Sequence, residues 1–282
     1  MGRESALRPE AIAEAYLAAC RAELAAIKPG NVHVHAAGHR MSVADFEASA
    51  ALSAPPLAAA GARVGARIEG AVAATRAGVG QNTNLGIVLL CAPLAAAAEQ
   101  PGPLRAGLAA VLAGLDDADA AGLYAAIRLA SPGGLGRAER HDVTAGGPPP
   151  PFLAAMGEAA ARDRIARAYV TGFEDLFATG LAALAAARAA GLPEPWTTTA
   201  VHLAFLIGFP DSHIARKFGP VVAERVRAEA EAALGGLILG EGARAALLAH
   251  DSALKKAGLN PGTSADLTVA TLFLDALGRL KG

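Results

Sequence analysis

The chain has 282 residues, with 25 basic against 26 acidic side chains, and no basic stripe to support a nucleic-acid footprint. Hydrophobic residues make up 53% and aromatics only 4%, so any core must be built from Ala, Leu and Val, a mixture that favours closely packed helices. The start, MGRESALRPE, has no apolar signal region, and the apolar run 85–98 is shorter than a bilayer span and contains Pro93, so no membrane segment is expected and the cytoplasm is the expected location.

Period-2 alternation is almost absent. Segments with helical periodicity follow one another between short Gly, Pro, Asn and Ser loops. The first expected helix covers 9–27, with Ile12, Tyr16, Leu17, Cys20, Leu24 and Ile27 on one side. A polar loop, KPGNVHVHAAGHRM, follows. Ser42 and Asp45 have the spacing of a capping box that starts a helix over 43–53. Helices over 57–76 and 85–98 flank GVGQNTN, and Asp116 can cap another that ends near 130. The stretch 131–151, SPGGLGRAERHDVTAGGPPPP, is the longest irregular segment. Helical pattern resumes over 152–190 with a break near Gly180, then over 197–208, 220–234, 241–257 and 263–280. In FPDSHIARKFG, Asp211 can cap a short helix carrying Arg216 and Lys217. The expected fold is all-α, in one multi-helix domain whose cleft is formed by helix N-termini and loops. Cys20 and Cys91 sit in apolar surroundings and read as buried free thiols.

Polar residues concentrate in five loop-to-helix junctions: 28–39, 80–84, His141-Asp142 with Arg162-Asp163, 211–217, and 260–266. Helix starts need capping oxygens because their first N–H groups have no internal partner, and the same groups bind phosphates. Five such junctions in so apolar a chain point to a shared polar cleft. Lys28 is a candidate point charge for a phosphate. His33, His35 and His39 could ligate zinc, but they lack a cysteine partner and a recognised spacing, which favours hydrogen-bonded loop histidines. Asn82, Thr83 and Asn84 offer neutral donors and acceptors; taken alone, this segment reads as an Asn-capped buried helix. Asp163 could instead be a surface ion-pair residue beside Arg162 or Arg167, and Thr263 with Asp266 resembles a second capping box. Together Asp142, Asp163, Asp211 and Asp266 are carboxylates suited to Mg²⁺, which takes a few hard oxygens plus substrate phosphates. No P-loop and no strand-borne Gly-x-Gly-x-x-Gly is present, so any nucleotide must be held by helix termini and metal.

Taken in order, KPGNVH at 28–33, GHRMSVADF at 38–46, the AT…NTNLG segment at 74–86, SPGGLG with HDV at 131–143, MGEAAARDRIARAY at 156–169, DSHIARKFG at 211–219 and LNPGTSADL at 259–267 resemble the triphosphoribosyl-dephospho-CoA synthase family. The resemblance implies an all-helical transferase. ATP would be attacked at ribose C1′ by the 2′-hydroxyl of dephospho-CoA, with loss of adenine. It implies Asp163, Asp266 and Asp142 as catalytic candidates and Asp163, Asp211 and Asp266 as Mg²⁺ ligands. Lys28, Asn31, His33, Asn82, Thr83, Asn84, Arg216, Lys217, Gly262 and Ser264 are then the contacts to ATP. Family members of citrate lyase maturation carry Asn-Thr-His-Lys-Gly where this chain has Asn82-Thr83-Asn84-Leu85-Gly86. Alternatives are a related nucleotide-dependent transferase of methanopterin- or methanofuran-type cofactor assembly, a non-catalytic nucleotide binder, and a hydrolase of an N-glycosidic bond. The expected partners are small molecules, ATP and dephospho-CoA or a related precursor, with neither nucleic acid nor membrane; an Ala-rich helical surface also suits a homodimer.

Overall fold

The computed structural model describes residues 5–36, 41–131 and 148–282. All regular elements among them are helical apart from isolated bridges such as the one between His33 and Ala36. The all-α expectation holds there. Polar breaks between the described helices fall where the apolar period stops.

The first helix, α1 (Pro9–Ala25), starts with proline at its first position, where a missing N–H costs nothing. Next, α2 (Val43–Leu57) has the expected capping box: Asp45 N–H donates to Ser42 Oγ (3.3 Å) and Ser42 N–H to Asp45 Oδ2 (2.7 Å). It runs past Pro55 and Pro56, which lie in its last turn. The expected helix over 57–76 is therefore divided, and α3 (Val64–Val79) begins only after a turn at Gly61. Arg67, fully buried, accounts for the division: its guanidinium donates to the carbonyls of Leu57 (2.7 Å) and Ala62 (2.9 Å) and to Glu99 (2.8 Å). The Leu57 carbonyl at the end of α2 and the Ala62 carbonyl just before α3 are thereby satisfied without further helix.

The next two are α4 (Leu85–Ala98) and α5 (Leu104–Ala113); the latter went unread in the sequence pattern. Then α6 (Asp117–Ala130) is capped by Asp116, which accepts from Ala118 and Asp119 N–H. At the crossing of α3 and α6, a Cβ on Gly122 would lie 2.4 Å from the Gly65 carbonyl oxygen, so glycine sets the approach of these helices. The expected 152–190 region is divided into α7 (Phe152–Ala159), α8 (Arg164–Thr171), a π-turn over Leu176–Gly180 and α9 (Leu181–Ala189). The remaining helices are α10 (Trp196–Gly208), α11 (Ser212–Phe218), α12 (Pro220–Leu234), α13 (Arg244–Lys256) and α14 (Gly262–Lys281).

From Ile87 to Ala98, α4 is buried on every side, which explains its lack of amphipathic pattern. It and α14 form the middle of the main apolar cluster, to which α1 to α3, α5, α6 and α8 also contribute. A second cluster lies around α10, α12 and α13, with Trp196, Leu206 and Leu247 inside it. Both cysteines are buried free thiols. No single described helix is long and apolar enough to cross a membrane.

Candidate active site

Three helix starts are tied to one another by short side chains. Asp211, 3% exposed, accepts at Oδ1 from the N–H groups of His213 (2.9 Å) and Ile214 (3.1 Å), capping α11. Its Oδ2 accepts from Ser264 N–H (2.8 Å) and Ser264 Oγ–H (2.9 Å) in the first turn of α14. Arg164 N–H, at the start of α8, donates to Ser212 Oγ (2.9 Å). Asp163 caps α8, accepting from Ile165 (2.9 Å) and Ala166 (3.2 Å), and its Oδ2 lies 3.6 Å from the Arg216 guanidinium. From the other side, α4 enters with its first turn against α14. A Cβ on Gly86 would lie 2.0 Å from Asp266 Oδ2 and 2.9 Å from Ile165 Cδ1. Tyr169 holds α8 on α4 by donating to the Leu89 carbonyl (2.6 Å).

These starts surround a cavity of about 640 Å³, within the range of small-molecule sites. Its polar wall carries Asp163, Arg216, Lys217, Gly262, Thr263 and Asp266, and Asn82 and Thr83 also line it. Leu123, Ile127, Ala155 and Met156, from α6 and α7, make an apolar part. Asp266 receives no hydrogen bond from a described residue. Burial, then the neighbouring charges of Asp211 and Glu23, push its carboxyl well above the usual carboxylate range; Arg216 acts in the opposite direction.

Several expected ligand contacts lie behind this wall. Lys28 is fully buried and donates to Glu23, to Asn31 Oδ1 (3.0 Å) and to the Val32 carbonyl (2.7 Å), so all three ammonium hydrogens are engaged within the protein. Burial lowers its pKa, and Glu23 opposes that shift. His33 is fully buried beside Asp251 (3.4 Å), and desolvation lowers its pKa. It does not line the cavity, while His39 lies outside the described residues. Asn84 is interior as well: its Nδ2 donates to Ser53 (3.2 Å) and Thr75 (3.1 Å), linking α2, α3 and α4. The capping of α4 passes instead to Asn82, whose Oδ1 accepts from Leu85 N–H (3.2 Å). Ser264 is occupied by Asp211.

The carboxylate set changes accordingly. Asp211 has four donors on its two oxygens and is absent from the lining, so it is a clamp between α11 and α14 rather than a metal ligand. Asp266 is not a cap, because α14 has no side-chain cap at its start. Asp142, with the HDV and SPGGLG segments, lies largely outside the described residues. No group of three or more His, Cys, Asp or Glu among the described residues is arranged to hold a metal ion.

The sequence pattern missed Glu23, Arg76 and Tyr124, all in the cavity lining. Glu23 had a usable signal. It falls on the apolar side of α1, between Cys20 and Leu24, where a carboxylate is costly unless it is paired. Its partner is Lys28, and burial still raises its pKa.

The NTNLG departure now has a place: Asn84 points into the interior, whereas Leu85 lies on the cavity wall. No curated protein matches the sequence. A crystal structure from Archaeoglobus fulgidus, of a protein provisionally assigned as a triphosphoribosyl-dephospho-CoA synthase, is 24% identical with a TM-score of 0.60, covering 84% of this chain and 98% of that one. At that identity the likeness is one of fold. The sequence match covers residues 9–282, and it shows that the chain belongs to the ATP:dephospho-CoA triphosphoribosyl transferase family, transferases that act on ATP.

Proposed function

We propose that this cavity is where the triphosphoribosyl group passes from ATP to the 2′-hydroxyl of dephospho-CoA. The supporting observation is the meeting of Arg216, Lys217 and a charge-crowded Asp266, hydrogen-bonded by no described residue, at one wall of a cavity whose α6–α7 side is apolar. In the reaction the acceptor oxygen bonds to ribose C1′ and the bond from C1′ to adenine breaks. The hydroxyl loses a proton and the departing base gains one. Positive charge develops on the sugar, and carboxylates stabilise it as they do in glycoside chemistry. Asp266 is the residue to take the hydroxyl proton, since a raised pKa makes a carboxylate a better base near neutral pH. Arg216 and Lys217 hold the triphosphate, Asn82 and Thr83 position the nucleotide, and the α6–α7 surface receives the flat base.

Magnesium fits this donor set. Asp163 lines the cavity, and such an ion is held by one or two carboxylates together with substrate phosphates, which leaves Asp266 to act as the base. When bound it would neutralise triphosphate charge. Asp211 takes no part, because its oxygens are already occupied.

Purified protein given ATP, Mg²⁺ and dephospho-CoA should release free adenine, followed by chromatography. Release without any acceptor would indicate a hydrolase, and tight ATP binding without release a nucleotide-binding protein. Release with a different hydroxyl-bearing cofactor precursor, but not with dephospho-CoA, would move the acceptor and leave the chemistry standing.

Gly86→Ala tests the wall. The new methyl group would displace the Asp266 carboxylate. The expected result is a stability loss of about 1–3 kcal/mol in urea denaturation, together with a loss of up to about 100-fold in kcat/KM. Unchanged kinetics would show that the position of Asp266 is irrelevant to turnover.

A further inference from the structure

The buried loop Lys28–Asn31 meets Asn260, just ahead of α14, in a relay whose polarity is fixed. The Lys28 ammonium is donor-only, so the Asn31 atom that faces it at 3.0 Å must be the amide oxygen. The Asn31 nitrogen is thereby turned to Asn260, donating to Oδ1 at 2.8 Å. Asn260 is thus held with its oxygen occupied and its Nδ2 left over. That nitrogen donates to no described residue, although Asn260 is only 7% exposed and lines the cavity. The same ammonium holds Glu23, whose Oε1 it engages; Oε2 accepts from no described residue, and Glu23 also lines the cavity.

One buried lysine therefore presents two groups of opposite character to the cavity: a neutral amide donor and a carboxylate acceptor. A hydroxyl matches such a pair, because it donates and accepts at once. A phosphate oxygen does not, since it can only accept and would face the charges of Glu23 and Asp266.

We propose that Asn260, oriented by Lys28 through Asn31, donates to a ribose hydroxyl of the bound nucleotide, with Glu23 as the acceptor for that hydroxyl. This assignment rests on the cavity being the ATP site, and it adds a determinant of ribose against deoxyribose.

Equilibrium binding by calorimetry tests it independently of turnover, with ATP, 2′-deoxy-ATP and 3′-deoxy-ATP as probes in the presence of Mg²⁺. The wild-type protein should bind one deoxy analogue roughly tenfold more weakly than ATP, the size of one lost hydrogen bond; which analogue suffers identifies the hydroxyl. In Asn260→Ala the difference should shrink to within about twofold, through weaker ATP binding. Asn260→Asp keeps an acceptor for Asn31 and has no donor, so it should fold and lose the same discrimination. If both variants bind ATP more weakly yet keep the wild-type discrimination, Asn260 is structural and the assignment is overturned. Equal wild-type affinity for all three nucleotides overturns it as well. A wild-type protein that binds no nucleotide refutes the ATP site, and the assignment with it.

Discussion

Asp266→Asn is expected to lower kcat for adenine release by about 10²–10⁴-fold, the range of a lost general base, while leaving the protein folded. The stability half of this expectation has a definite sign. Asp266 ionises at higher pH in the folded protein than its ordinary value of 3.8, because it is buried near Asp211, Glu23 and Asp163. Its contribution to stability is therefore complete below the unfolded value and is lost as pH rises through the folded value. The amide cannot ionise and escapes that loss. At neutral pH, Asp266→Asn should melt at the same temperature as wild type or higher, and its advantage should vanish in acid. The same shift places the acid limb of the wild-type kcat/KM profile above the ordinary carboxylate range. A variant that melts early but keeps its specific activity would assign Asp266 to the fold alone.

Asp211→Ala should give the opposite pattern. Asp211 does not line the cavity, and its four accepted hydrogen bonds join the starts of α11 and α14. Removing it leaves buried donors at Ile214 and Ser264 short of a partner, while the His213 N–H keeps Thr263 Oγ1 at 3.1 Å. Burial raises the Asp211 pKa despite those bonds, so part of their value is cancelled by the cost of desolvation. We expect a net loss of about 2–4 kcal/mol, measured by urea denaturation. Activity should fall through weaker substrate binding, because Arg216 and Lys217 ride on the helix that Asp211 caps. Asp211→Asn should recover part of the stability, since one amide oxygen still accepts from His213 and Ile214. A stability change within 0.5 kcal/mol, the usual scale of neutral surface substitutions, would contradict the clamp.

Helix placement was legible because apolar periodicity and capping chemistry act locally. Ser42, Asp116 and Asp211 cap their helices as their spacing indicates, whereas Asp163 caps α8 inside a stretch that reads as continuous helix. The short α5 was missed: its ten residues lie between Gly- and Asp-rich turns and leave little periodic signal. The break between α2 and α3 depends on Arg67 reaching carbonyls five and ten residues away, which no local pattern encodes.

For the candidate site, the sequence determined which segments carry polar groups at helix starts and that the chain is helical, because both follow from hydrogen-bond bookkeeping within a turn or two. It could not rank the aspartates. Asp163, Asp211 and Asp266 look alike in one dimension, yet one caps and lines the cavity, one is saturated by four donors, and one receives none from the described residues. That sorting was decided by tertiary structure, since it depends on which distant N–H or carboxylate each side chain meets after packing. The same holds for Lys28, where the charge that seems made for a phosphate is consumed by Glu23 and Asn31. Local spacing sets the chemistry available at a position; only the folded neighbourhood decides whether that chemistry remains free to act on a substrate.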